Sequence, residues 1–144
     1  MSRKIFLTAL LLISAPAFAE QPKMPVEIVA TADDQVGKRL IYFVKEGIQS
    51  SSMLSLSINP DFGLKVMAIT LDQSQISPGN STVYSFVITM TVRDQPVPYY
   101  LNQYVGYCGT AKVQECAQGL VANIAEDSDQ VLRLLKAAFE QAGE

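Results

Sequence analysis

Residues 83–93, VYSFVITMTVR, alternate between two kinds of side chain and decide the fold class. One side of the segment carries large apolar groups, and the other carries smaller and more polar ones. The first set is Tyr84, Phe86, Ile88, Met90 and Val92, and the second is Val83, Ser85, Val87, Thr89 and Thr91. Alternation with a period of two is typical of a β-strand that buries one face. The segment therefore predicts a long strand of an antiparallel sheet.

Other extended segments surround this strand. Phe62–Leu71 is apolar on both sides, which is typical of a strand that is central or covered on both faces. Tyr99–Tyr107 alternates again, with Tyr99, Leu101, Val105 and Tyr107 on one side and Tyr100, Asn102 and Tyr104 on the other. Leu54–Ile58 and Val26–Thr31 are shorter strand patterns. Together these segments predict a sheet of four or five strands.

Helical patterns precede and follow the strands. After Asp33 and Asp34, which fit an N-cap, apolar residues recur with helical spacing at Val36, Leu40, Phe43, Val44 and Ile48. A second pattern starts at Val113, and a third follows Asp127, which forms a capping-box pattern with Gln130. We therefore expect a C-terminal helix that is kinked or divided at Glu126–Ser128.

This order of elements predicts an α+β fold. We expect a two-layer sandwich in which an N-terminal helix and the C-terminal helix pack on one face of a mainly antiparallel sheet. The single domain is expected at residues 26–142, after a flexible lead-in at 20–25. The element order is broadly similar to that of small domains in envelope-assembly proteins.

The N-terminus has the pattern of a secretory signal peptide. Arg3 and Lys4 precede the apolar run Ile5–Ile13, and Ala17-Phe18-Ala19 predicts cleavage after Ala19. The mature chain is therefore expected in the periplasm. No cysteine stands at the cleavage site and no later apolar stretch is long enough to span a bilayer, so we expect neither a lipid anchor nor a membrane span.

Charge and residue types exclude several functions. Loss of Arg3 and Lys4 with the signal peptide changes the net charge from −3 to −5, and an acidic chain without basic clusters is a poor ligand for nucleic acid. The sequence contains no histidine, which removes the commonest general base and metal ligand. Cys108 and Cys116 are expected to form a structural disulfide in an oxidising compartment. We therefore predict a non-enzyme without cofactor or metal.

The predicted sheet face away from the helices is the candidate functional surface. Its strand residues are uncharged, and tyrosine with short polar groups is typical of recognition surfaces, although serine and threonine also favour strands for their own sake. The predicted partner face consists of Thr89, Thr91, Tyr100, Asn102 and Tyr104.

Two functions fit these features. The first is a non-catalytic periplasmic protein that binds another periplasmic protein or itself, as an envelope-assembly accessory or an immunity-type protein would. The alternative is a carrier of a small apolar ligand, with a pocket lined by Phe43, Phe86 and Met90. The same three side chains are also expected in the core of any sandwich of this size.

Overall fold

The computed structural model describes residues 22–73 and 80–143. The predicted signal peptide and its cleavage site lie outside these residues. The elements are β1 (Met24–Ala32), α1 (Gln35–Ser50), β2 (Leu54–Leu56), β3 (Phe62–Asp72), β4 (Ser81–Val92), β5 (Tyr99–Gly109), a 3-10 turn (Thr110–Lys112) and α2 (Val113–Ala142). β1 begins at Met24, within the segment 20–25 that the sequence predicts as a lead-in.

The predicted α+β sandwich is confirmed, with a sheet that is mixed rather than purely antiparallel. The strand order is β2-β1-β3-β4-β5, and β1 runs parallel to both β2 and β3. The β3-β4-β5 portion is antiparallel. The parallel pairing of β1 with β2 follows from the helix between them, because a crossover connection returns the chain in the same direction.

Both helices pack on one face of the sheet and bury its apolar side chains. Val66 and Phe86 contribute to this core from the sheet, Leu40 and Val44 from α1, and Ile124 from α2; all are fully buried. Burial of each such side chain stabilises the fold by roughly 1.5–3 kcal/mol. The layer between helices and sheet is therefore the hydrophobic core, and the other sheet face lies outside it.

A glycine sets the distance between the two helices. A Cβ atom on Gly47 of α1 would lie 2.8 Å from the Val121 Cγ2 atom of α2, closer than real Cβ contacts. Glycine therefore lets the helices approach at this point, and α1 continues past Gly47 to Ser50.

The C-terminal helix is joined rather than divided at Glu126–Ser128. α2 spans 30 residues and passes through Glu126–Ser128 as continuous helix. Asp127 and Ser128 are buried residues within this helix and do not cap a new one. Within residues 22–73 and 80–143, no helix combines the length and apolar character needed to cross a bilayer.

The predicted disulfide is confirmed. Cys108, at the end of β5, is bonded to Cys116 in the first turn of α2, and their Cα atoms are 6.3 Å apart. On the chain-entropy model, closing so short a loop contributes roughly 2 to 3 kcal/mol. The bond fixes the start of α2 against the last strand.

Candidate functional site

The sheet face turned away from the helices, which we call the open face, carries side chains in rows that run across β1, β3, β4 and β5. Strand register places Val29, Met67, Val87 and Gln103 side by side in the first row. The second row is Thr31, Ile69, Ser85 and Val105, and the third is Leu71, Val83 and Tyr107. The rows are contiguous because cross-strand neighbours on one face stand about 5 Å apart.

Large apolar side chains of the open face are exposed to water. The exposed fractions are Val29 47%, Met67 39%, Ile69 53%, Leu71 58%, Val105 66% and Tyr107 74%. Together these residues expose roughly 600 Å², at the upper end of the 300–600 Å² typical of the largest apolar patch on a monomer. A patch of this size on one face is a candidate interaction surface.

One end of the open face is polar. Lys65 Nζ lies 3.2 Å from Glu27 Oε2, and the two residues are register partners on β3 and β1. Thr89 and Tyr100 extend this row, and the Thr89 hydroxyl donates to the Lys65 carbonyl at 3.3 Å. The open face therefore has an apolar part and, beside it, a charged and hydroxyl-bearing end.

Three of the five predicted partner-face residues lie on the open face. Tyr100 is 64% exposed, and the Thr91 hydroxyl donates to the Gly63 carbonyl at 3.3 Å. Thr89 is on the same side but only 5% exposed, so a partner could reach little of it.

The prediction that Asn102 and Tyr104 point away from the helices is wrong. An irregularity in the β4–β5 register places Ile88 opposite Asn102 but Thr89 opposite Tyr100, so Leu101 is an extra residue on β5. An extra residue shifts the alternation and exchanges the two faces beyond it. Asn102 and Tyr104 therefore project towards α2, whereas Tyr100 does not.

Asn102 and Tyr104 bind a buried carboxylate. The Tyr104 hydroxyl donates to Asp127 Oδ2 at 2.8 Å, and Asn102 Nδ2 donates to Asp127 Oδ1 at 3.2 Å. Burial, followed by the hydrogen bond and negative charge of Asp127, raises the pKa of Tyr104 to about 12. The cluster ties α2 to β5 and leaves neither oxygen of Asp127 without a donor.

A second carboxylate joins α1 to the sheet. The predicted N-cap is confirmed at Asp34, whose Oδ1 accepts from the Gly37 N–H at 2.6 Å. Its Oδ2 accepts from the hydroxyls of Thr70 at 3.1 Å and Thr82 at 2.9 Å. Asp34 and Asp127 thus both hold structural hydrogen bonds between a helix and the sheet.

The three side chains of the predicted ligand pocket belong to the core or its margin, with Phe43 and Met90 partly buried against it. Phe86 is fully buried in the core, whereas Phe43 lines a surface groove between α1 and α2 together with Gly47 and Val121. In the part of the chain that the structure describes, no group of three or more His, Cys, Asp or Glu side chains is placed to hold a metal ion.

The sequence contained a signal for the apolar part of the open face. Met67, Ile69 and Leu71 alternate with the core residues of β3, and this double apolar pattern predicts a strand that is central or covered on both faces. β3 is indeed central, but its second face is exposed. The sequence correctly predicts that Val105 and Tyr107 lie on the opposite side of β5 from Tyr104. It does not show that this side is the exposed one.

Comparison with known proteins gives structural neighbours only. Neither a protein-family model nor a curated protein sequence matches the chain. The chain is similar to a minor lipoprotein from Acinetobacter baumannii, with a TM-score of 0.44 and 10% identity over 72% of this chain and 94% of that one. It is also similar to rare lipoprotein B from Shewanella oneidensis, with a TM-score of 0.29 and 12% identity over 83% of this chain and 99% of that one.

Both neighbours are named as lipoproteins. This finding contradicts the expectation that the mature chain carries no lipid anchor, and we withdraw that expectation. No fold or role is transferred from either neighbour.

Proposed function

We propose that this protein is a small, exported, non-catalytic binding module whose open face docks onto another protein. The proposal rests on the exposed apolar side chains that lie in adjacent rows across the sheet, from Val29 on β1 to Tyr107 on β5. Water contact with such a patch is unfavourable, and burial against a partner removes it. The export of the chain rests on its N-terminal sequence pattern.

The size of the patch supports a protein partner. Its roughly 600 Å² approaches the about 800 Å² that each side of a standard protein interface contributes. Val87 and Val83 lie between the exposed residues and are themselves partly exposed, so the surface is continuous across β4. A sheet face of this kind offers a broad surface and no enclosed cavity, which suits a protein better than a small ligand.

The charge pattern indicates the partner's chemistry. The apolar rows contain no charged residue, so the facing surface should be apolar and uncharged at its centre. The Glu27–Lys65 pair lies at one end and would fix the orientation of a partner that carries complementary charges at its rim.

A non-catalytic role agrees with the remaining chemistry. The chain has no histidine, and its two thiols are joined in the disulfide. Asp34 and Asp127 accept hydrogen bonds that hold helices to the sheet. Neither carboxylate is free to serve as a general base at a surface.

The test compares two variants, one with a negative charge added to the open face and one with the same charge added to α1. Ile69→Glu puts a carboxylate in the second row of the open face, and Tyr42→Glu puts one on α1, where Tyr42 is similarly exposed at 57%. Each tagged protein is used to capture proteins from the periplasmic fraction of the source bacterium, followed by mass spectrometry. We expect a partner held by the wild type and Tyr42→Glu but lost with Ile69→Glu. Identical captured proteins from all three would contradict the proposal.

A further inference from the structure

The two edges of the sheet differ in length. At one edge β2 has only 3 residues, whereas β5 at the other edge has 11. A short edge strand leaves few unpaired backbone groups and is one way in which proteins prevent sheet-to-sheet association. The edge of β5 does not have this protection.

Hydrogen bonds show which backbone groups of β5 point outwards. The N–H of Thr110 donates to the Asn80 carbonyl on the β4 side, whereas the N–H of Gln103 donates to the side chain of Asn102. In an antiparallel ladder, residues whose backbone groups face the partner alternate with residues whose groups face away. Val105 and Tyr107 lie two and four residues after Gln103, so their N–H and C=O groups also face the free edge.

The edge also lacks the residues that usually block strand addition. Tyr99–Gly109 contains no proline and no charged side chain. Beside the edge lies a groove of about 390 Å³ between β5 and α2, lined in part by Val105, Gly119 and Asn123. A Cβ atom on Gly119 would meet nothing within 4 Å, so the helix side of the edge is open.

We propose that a second copy of this chain pairs with β5, antiparallel to it, about a two-fold axis near Val105. The paired strands would join two five-stranded sheets into one sheet with both open faces on the same side. The inference goes beyond the proposed function and does not depend on it, because it uses the backbone edge of β5 rather than the face of the sheet.

Charge favours a copy of the chain as the occupant. The protein is acidic overall, with a net charge of −3, so two copies repel at most surfaces. Tyr99–Gly109 is neutral, and it therefore offers a place where identical chains meet without like charges opposite each other. An antiparallel strand pair is also self-complementary, as a two-fold interface requires.

The contact area is small. About a two-fold axis near Val105, β5 pairs with its copy over residues 101–109, and the exposed side chains of Val105 and Tyr107 flank the new ladder. Tyr99 and Tyr100 lie beyond the paired residues. A contact of this size is below the roughly 1,000 Å² expected of a stable interface, so the dimer should be reversible rather than obligate.

Proline at an outward position tests the pairing. Val105→Pro removes an N–H that makes no bond to β4, so the fold is retained, whereas a strand added to β5 loses a donor and meets the proline ring. Val105→Thr is the matched control because it keeps the N–H and the β-branched shape. Sedimentation velocity of the oxidised mature protein at about 100 μM should show a dimer for the wild type and Val105→Thr, and at least about tenfold weaker association for Val105→Pro.

Further outcomes keep the test decisive. If Val105→Pro does not fold, amide exchange in the wild type replaces it, and the Tyr107 N–H should exchange more slowly as concentration rises. A wild type that is monomeric at about 100 μM, an equally dimeric Val105→Pro, or a Tyr107 exchange rate independent of concentration would overturn the proposal. Ile69→Glu separates the two proposals, because it should abolish partner binding through the open face and leave this dimer intact. Loss of the dimer in Ile69→Glu alone would place the contact on the open face and overturn edge pairing.

Discussion

Removal of the Asp34 carboxylate should be one of the costliest single changes in this protein. Asp34→Ala deletes the N-cap of α1, which typically costs about 1 kcal/mol. It also leaves the fully buried Thr70 hydroxyl without its acceptor, which costs about 1–3 kcal/mol. Thr82 adds less, because its hydroxyl also lies 3.2 Å from the Leu71 carbonyl. We therefore expect a loss of about 3 kcal/mol in the free energy of unfolding.

The matched controls are close in sequence and in space. Asp33→Ala changes the exposed neighbour of Asp34 and should cost no more than about 0.5 kcal/mol. Thr70→Val in the Asp34→Ala background removes the orphaned hydroxyl and should recover about 1 kcal/mol or more. Urea unfolding followed by circular dichroism gives all four values. Equal costs for Asp33→Ala and Asp34→Ala, or no recovery from Thr70→Val, would refute the assigned role of this carboxylate.

Four further substitutions test other parts of the fold. Ser128→Ala should leave stability unchanged or raise it by up to about 1 kcal/mol in urea unfolding, because the buried Ser128 hydroxyl has no hydrogen-bond partner among the described residues. Since the pKa of Tyr104 is raised to about 12, its contribution is complete below the unfolded value of about 10 and disappears as pH rises through about 12. The urea midpoint should fall over that range in the wild type, and the part due to the Tyr104–Asp127 contact should be absent from Tyr104→Phe. Gly119→Ala should raise the melting temperature by adding about 1 kcal/mol of helix propensity in open space, whereas Gly37→Ala should lower it because the new Cβ would lie 1.9 Å from Thr70 Oγ1.

Local sequence patterns predict the strands and helices well where one kind of contact, such as core burial or an N-cap hydrogen bond, determines the structure. The alternation of residues 83–93 places Phe86 and Ile88 in the core, and Asp34 caps α1 as expected. The order of the strands in the sheet cannot be predicted from such local patterns. The parallel pairing of β1 with β3 joins segments that are distant in sequence, and no local pattern encodes which strand becomes the neighbour.

The candidate site was predicted only in part, for two physical reasons. The extra residue Leu101 arises from pairing with β4, and amphipathic side chains such as Tyr104 and Asn102 suit either face, so the alternation of β5 does not reveal the shift. The apolar pattern at Met67 and Ile69 fits either a central strand or one covered on both faces, and the sequence does not choose between them. Their exposure is known only once both helices are seen to lie on the opposite face.

Site-specific photo-crosslinking from the open face tests the central claim most directly. A photoreactive phenylalanine analogue is placed at position 69 or 107 on the open face, or at position 42 on α1, in the full chain of 144 residues. We predict that irradiation of intact cells crosslinks the analogue at position 69 and at position 107 to the same partner protein. The analogue at position 42 should crosslink to no partner. Crosslinks from position 42 to that partner, with none from 69 and 107, would contradict the account.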